Sequence, residues 1–181
     1  MAEPIGLASG TVRVVPYHTA WPTLFAAEAV RIAGAIGAAG ISLEVEHTGS
    51  TAVPGLAAKP ILDILAGLVR APDRHTAIAA LQSIGYEHRG ECGIPGRDFF
   101  RRGEPRQYHV HLTQIGSAFW HDHRVFRDTL RRHADVAAAY AALKQALAEK
   151  FPTDREAYID AKTEFVLRAL ADARRSGEDS R

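Results

Sequence analysis

Apolar residues along this chain follow two rhythms, and the change between them divides the sequence. Up to about residue 116, short runs of period two alternate with stripes of period near four. From Ser117 onward only the longer period remains. Residues 12–15 predict a short strand. Trp21-Pro22 marks a helix start, because a proline at the first position lacks only an N–H that would have no partner there. Phe25, Ala29, Ile32 and Ile36 then form one stripe before Gly37. Residues 41–46 read as a strand, as do residues 59–68. Pro72 opens a helix with Ile78, Leu81 and Ile84 inward, and Gly85 ends it. Three β segments follow at 86–91, 97–102 and 107–114, the last two joined through Gly103-Glu104-Pro105 as a hairpin.

The last third is helical. One helix covers 119–132, and in the next Val136, Tyr140, Leu143 and Leu147 keep a single face. Thr153-Asp154-Arg155-Glu156 has the spacing of a capping box, and Tyr158, Lys162, Phe165, Val166 and Leu170 carry a final helix beyond it. Residues 174–181 are polar and aperiodic and predict a disordered tail. The expected architecture is one α+β domain over residues 1–181. Its mixed sheet is packed by helices, its C-terminal third is helical, and both parts share one core.

Charge and composition narrow the partners. Among 181 residues, 22 Lys and Arg stand against 21 Asp and Glu, a net charge of +1. Such a balance gives no reason to expect extended nucleic acid or a membrane surface as partner, so any anionic ligand must be held by a local cluster. Cys92 is the only cysteine, which suits a reducing compartment. No basic-then-apolar leader and no apolar run near the ~20 residues of a bilayer span is visible, so the expected location is the cytoplasm.

The chemistry concentrates in residues 46–63. A strand ends at Gly49-Ser50, where glycine permits close approach of a ligand and serine offers a hydroxyl and an amide. The next apolar run carries one acid, Asp63, among Ile61, Leu62, Ile64 and Leu65, and a carboxylate there is costly unless paired or metal-bound. His109 and His111 lie two apart on a strand and so share a face. They suit one metal ion or one phosphate, and equally a pair of half-exposed strand histidines. If the strands are neighbours, His47 converges with Asp63, His109 and His111. Arg97, Arg101, Arg102 and Arg106 bracket the hairpin as an anion platform or as protection of a sheet edge. Lys59 can meet a phosphate; Lys162 either points inward or snorkels. His121-Asp122-His123 falls in a helix, where positions two apart diverge, and reads as surface. Cys92 reads as a loop residue; His18, His75, His88 and His133 read as structural.

The segment from Glu46 to Leu56, Ala58-Lys59-Pro60-Ile61-Leu62-Asp63, Gly93-Ile94-Pro95-Gly96-Arg97, Tyr108-His109-Val110-His111-Leu112 and the Asp154-to-Lys162 helix together resemble the GrpB-like family. The resemblance covers roughly residues 11–170 and implies a nucleotidyltransferase-like fold; similar domains are fused to some bacterial dephospho-CoA kinases. Active members of that superfamily hold a triphosphate at a Gly-Ser turn and metals on a strand bearing two acids. Here Leu65 stands at the second position, which leaves Asp63 alone.

Taken together, these readings predict a site that binds a nucleotide or phosphorylated small molecule. Asp63, His47 and His111 are the candidate catalytic residues, and Asp63, His109 and His111 the candidate ligands of a divalent metal (Mg, Mn or Zn). Gly49, Ser50, Lys59, Arg97, Arg101 and Lys162 are the candidate phosphate contacts. Two alternatives stay open: a non-catalytic binding or scaffolding domain acting with a kinase-like partner, and metal-histidine hydrolase or cyclase chemistry.

Overall fold

In the computed structural model, which describes residues 5–177, the chain forms α1 (Trp21–Ala38), β1 (Leu43–Thr48), β2 (Leu62–Leu68), α2 (Arg74–Ser83), β3 (Glu87–His88), β4 (Asp98–Arg102) and β5 (Tyr108–Gln114). Three helices complete it: α3 (Ala118–Arg132), α4 (Ala134–Lys150) and α5 (Arg155–Arg175). The strands make one sheet in the order β1-β2-β5-β4-β3, with β2 and β5 parallel and the other pairs antiparallel. This is the expected α+β architecture with a helical C-terminal part.

Strand parity assigns the two faces. Leu62, Ile64, Ala66 and Leu68 of β2, with Val110 and Leu112 of β5, pack against Trp21, Ile32 and Ile36 of α1 and Ala77 and Leu81 of α2. The isoleucines and Trp21 are wholly buried there, and each such aliphatic side chain contributes about 1.5–3 kcal/mol. The alternate residues Asp63, Leu65, Gly67, His109, His111 and Thr113 face the C-terminal helices. Because that face is polar at its centre, the expected single shared core does not form. The helical third instead builds smaller clusters, Val53 and Leu56 of the β1–β2 connection packing with Leu130 and Tyr140, and Val12 packing with Leu147 and Tyr158.

Three local expectations shift. The 12–15 strand reduces to one bridge, Val15 with Ala58, since Pro16 has no N–H to continue a ladder. Helix α5 is capped by Asp154, whose carboxylate accepts from the Ala157 amide at 3.0 Å, rather than by Thr153. Arg174 and Arg175, expected in a disordered tail, belong to α5, and residues 178–181 lie outside the described ones. Among the described residues, no helix is long and apolar enough to cross a membrane.

One contact between the helical layer and the sheet depends on a glycine. A Cβ on Gly67 would lie 2.5 Å from Cζ3 of Trp120 and 2.6 Å from Cγ1 of Ile115, so only glycine lets α3 seat its indole on β2. Gly67→Ala should therefore destabilise by about 1–3 kcal/mol through overpacking. The thermal midpoint should fall by roughly 2–4 °C for each kcal/mol lost. Calorimetry of the variant checks this, and an unchanged midpoint would mean that the helical layer moves freely.

Candidate functional site

Between the polar sheet face, the β1–β2 connection and helices α3–α5 lies a cavity of about 500 Å³. That is within the ~300–1,000 Å³ range of small-molecule sites. Asp63 sits at its base. In the parallel register Asp63 stands beside His109, and Leu65 stands beside His111, so both imidazoles lean over the one carboxylate. His109 Nδ1 lies 3.1 Å from Asp63 Oδ1, and His111 Nε2 lies 3.8 Å from the same oxygen. A third (33%) of the Asp63 side chain is exposed, where it opens on the cavity. Burial disfavours its charge, but the hydrogen bond from His109 and the nearness of His111 hold it well below the usual carboxylate range.

Gly49 adapts the backbone to this acid. Its φ of +69° is one that side-chain-bearing residues rarely adopt, and a Cβ there would lie 2.7 Å from Asp63 Oδ2. The turn that follows is fastened from behind by α3 and α4. Arg131 donates to the Ala52 carbonyl at 2.8 and 3.1 Å, Arg127 donates to the His47 carbonyl at 3.0 Å, and Lys144 donates to the Ala57 carbonyl. Ser50 shares a hydrogen bond with the Tyr140 hydroxyl. The Thr48 hydroxyl is buried, lines the cavity and has no partner among the described residues.

The cavity wall is basic. Lys59, Arg97, Lys144, Arg155 and Lys162 line it, against the acids Asp63 and Asp122, and Asp122 is already paired with Arg174 at 2.5 Å. Lys59 and Lys162 both hold their ammonium groups over the Tyr158 ring, at 5.0 and 4.6 Å. Burial, and then the charge of Lys59, lowers Lys162 to about 8; burial with Lys162 and Lys59 nearby lowers Lys144 to about 7. Lys59 is lowered by burial too, against the pull of Asp63.

The structure therefore brings together Gly49, Ser50, Lys59, Asp63, Arg97, His109, His111 and Lys162. It does not bring in two others. His47 pairs with Ile64, not Asp63, so it points to the opposite sheet face, where it stacks on Phe25 at 4.6 Å and bonds Thr51 at 3.0 Å. Its place among catalytic residues is corrected to a support of the turn. Arg101 shares the face of His109, but Glu87 holds its guanidinium at 2.6 Å at the sheet edge, outside the cavity.

Some residues were missed. His123, read as surface, turns inward, stacks on Phe119 at 3.9 Å and lies 5.7 Å from His111. Tyr140 and Lys144 also line the cavity, as do Arg155 and Tyr158. A signal existed. Each C-terminal helix repeats an aromatic residue followed four positions later by a basic or imidazole group: Phe119 and His123, Tyr140 and Lys144, Tyr158 and Lys162.

The donor set does not fit the expected metal centre. Arg97 approaches His111 Nδ1 at 3.1 Å, and a guanidinium only donates, so Nδ1 is the acceptor. A neutral His111 then carries its proton on Nε2, the atom turned to Asp63, and has no lone pair there for a metal. Leu65 fills the place of a second acid, and among the described residues no group of three or more His, Cys, Asp or Glu is arranged to hold an ion.

The comparisons agree with this fold and family. Residues 11–172 match the GrpB protein family, and the chain belongs to it. The UPF0157 protein PA4798 of Pseudomonas aeruginosa is 44% identical over 90% of this chain and 67% of its own length. The crystal structure of GrpB from Enterococcus faecalis, 34% identical, superposes with a TM-score of 0.81 over 89% of this chain and 96% of that one. A cytoplasmic RNA terminal U-transferase, 10% identical, shares the fold at a TM-score of 0.53 over 75% of this chain and 41% of its own. The dephospho-CoA kinase of Mycolicibacterium paratuberculosis is 26% identical over 86% of this chain, which spans only 44% of its length. The chain likewise spans about half (48%) of the Bacillus subtilis relative YqkA.

Buried imidazoles give the site a pH signature. Burial, opposed by Asp63, lowers His47 to about 4, and burial, with His111 beside it, lowers His123 to about 4. Below its ordinary value near 6.5 the unfolded chain takes up protons that the folded state refuses. Stability should fall as pH drops from about 6.5 toward about 4, by up to roughly 1.4 kcal/mol per pH unit for each histidine. Urea titrations at several pH values should show this slope, and it should be shallower in His123→Gln; an equal slope would place His123 in solvent.

Proposed function

We propose that the cavity binds a small phosphorylated ligand, with a nucleotide as the first class to test, and that it does so with basic side chains in place of metal ions. The observation that carries this reading is the imbalance in its wall: five basic groups face Asp63 and an already paired Asp122. Guanidinium and ammonium groups in a partly desolvated cavity form the stronger, charge-assisted hydrogen bonds to phosphate oxygens. Lys59 and Lys162 would take one end of a phosphate chain and Arg155 the other, with Ser50 and Thr48 adding hydroxyl donors. A fold shared with an RNA terminal U-transferase supports nucleotide as the class. A bacterial family and the lone Cys92 support a cytoplasmic setting.

A second reading, binding without transfer beside a kinase domain, is favoured by the partial match to a dephospho-CoA kinase and by Leu65. Both readings share the ligand.

Isothermal titration with the ribonucleoside 5′-triphosphates, adenosine diphosphate and coenzyme A tests it. Lys59→Ala and Lys162→Ala should each weaken binding about tenfold or more, since bonds to charged groups are worth ~1.5–3 kcal/mol. Arg97→Ala should weaken it too, whereas Arg101→Ala should leave it unchanged. At pH 8 binding should draw in protons, because a bound phosphate raises Lys162 from about 8, and the heat should then depend on the buffer. Failure of every phosphorylated compound to bind would end this reading.

A further inference from the structure

We infer that Asp63 and His109 form a general-base dyad that activates a hydroxyl acceptor for metal-independent phosphoryl or nucleotidyl transfer in the cavity. This rests on the phosphorylated-ligand reading of the same site and goes beyond it by assigning a reaction and a base.

Parallel in-register pairing of β2 and β5 sets Asp63 and His109 side by side, and Asp63 Oδ1 meets His109 Nδ1 at 3.1 Å. An ionised carboxylate can only accept, so Nδ1 carries the proton and Nε2 keeps its lone pair. Nε2 has no partner among the described residues, while the ring belongs to the cavity wall. Phe99 packs edge-on against the imidazole at 5.0 Å and fixes its plane. His111 stands on the other side of Asp63, its Nε2 3.8 Å from the same oxygen, with its own tautomer set by Arg97 at 3.1 Å. An acid that orients an imidazole and leaves one nitrogen free toward substrate is the arrangement that makes histidine a base.

The step balances without further reagents. The acceptor oxygen attacks phosphorus as its O–H proton passes to Nε2 of His109. The new P–O bond forms while the bond to the leaving group breaks, a nucleoside diphosphate in phosphoryl transfer or pyrophosphate in nucleotidyl transfer, and that oxygen keeps the electron pair. Lys59 and Lys162 neutralise its charge, a task preorganised cations perform in place of a metal. The imidazolium then releases its proton to the leaving group or to solvent, and Asp63 stays ionised throughout.

The experiment incubates the protein with the four ribonucleoside triphosphates, excess EDTA and a pool of polyols, sugars and amino acids, and follows phosphorus NMR. The expected result is formation of a nucleoside diphosphate or of pyrophosphate, with a matching new phosphoester signal, in EDTA. His109→Gln should lower it by about 10²–10⁴-fold with the dissociation constant unchanged, which also shows that the variant folds. Nitrogen NMR of His109 should show Nδ1–H in the wild type and the other tautomer in Asp63→Asn. Binding without turnover, turnover that requires magnesium, or a rate unaffected in His109→Gln would each overturn the dyad. Absence of triphosphate binding would instead overturn the ligand reading beneath it.

Discussion

An ionised carboxylate cannot rest in an apolar strand unless something answers its charge, and the arrangement of this molecule follows from how Asp63 is answered. The strand beside it brings two imidazoles to the same oxygen. Backbone geometry allows the approach, because Gly49 leaves no Cβ to strike Oδ2. The same face must then be shielded but not filled with apolar side chains, so the helical layer touches the sheet firmly at Gly67 and Trp120 and stands off over Asp63. The cavity is what remains between those two conditions.

Much of this was legible because strands obey a rigid alternation. Given β segments at roughly the right residues, His109 and His111 had to share a face opposite Val110 and Leu112, and they do. Alternation alone could not place His47. Its face depends on which residue of β1 pairs with Asp63; the answer is Thr48, and a one-residue difference sends the imidazole to the α1 side. Strand ends were legible only to within a few residues, and the shared core was expected because the sequence does not disclose that the polar sheet face interrupts it.

The helical contribution was legible in pattern but not in direction. Lys162 was recognised as a residue that either points inward or lies along the surface, and its ammonium over Tyr158 resolves that in favour of the cavity. Lys144 drew no reading from the sequence beside Tyr140, yet it is almost fully buried (2% exposed) against the Ala57 carbonyl. The difference lies in tertiary structure. The β1–β2 connection lies across α4, so a helix face that would otherwise be wet becomes a wall. His123 was dismissed by comparing it with His121, two positions away; the informative neighbour was Phe119, four positions away.

The electrostatics of the cavity argue that something negative belongs there. Burial first, and then neighbouring positive charge, lowers the affinity of Lys59, Lys144 and Lys162 for protons; the charge comes from Arg155 at Lys59 and from neighbouring lysines at Lys144 and Lys162. Asp63 pulls against this at Lys59 and Lys162 but does not outweigh burial at either. Lys59 and Lys162 share the face of Tyr158 and Lys144 lies over Tyr140, and each buried ammonium carries a desolvation cost that an anionic ligand would offset. Within this fold, an apolar Leu65 two positions after Asp63 and a cavity wall rich in basic side chains are consistent with the proposed metal-free binding of a phosphorylated ligand. In that reading the positive charge belongs to the chain itself, and Asp63 orients the imidazole of His109, whose Nδ1 lies 3.1 Å from it.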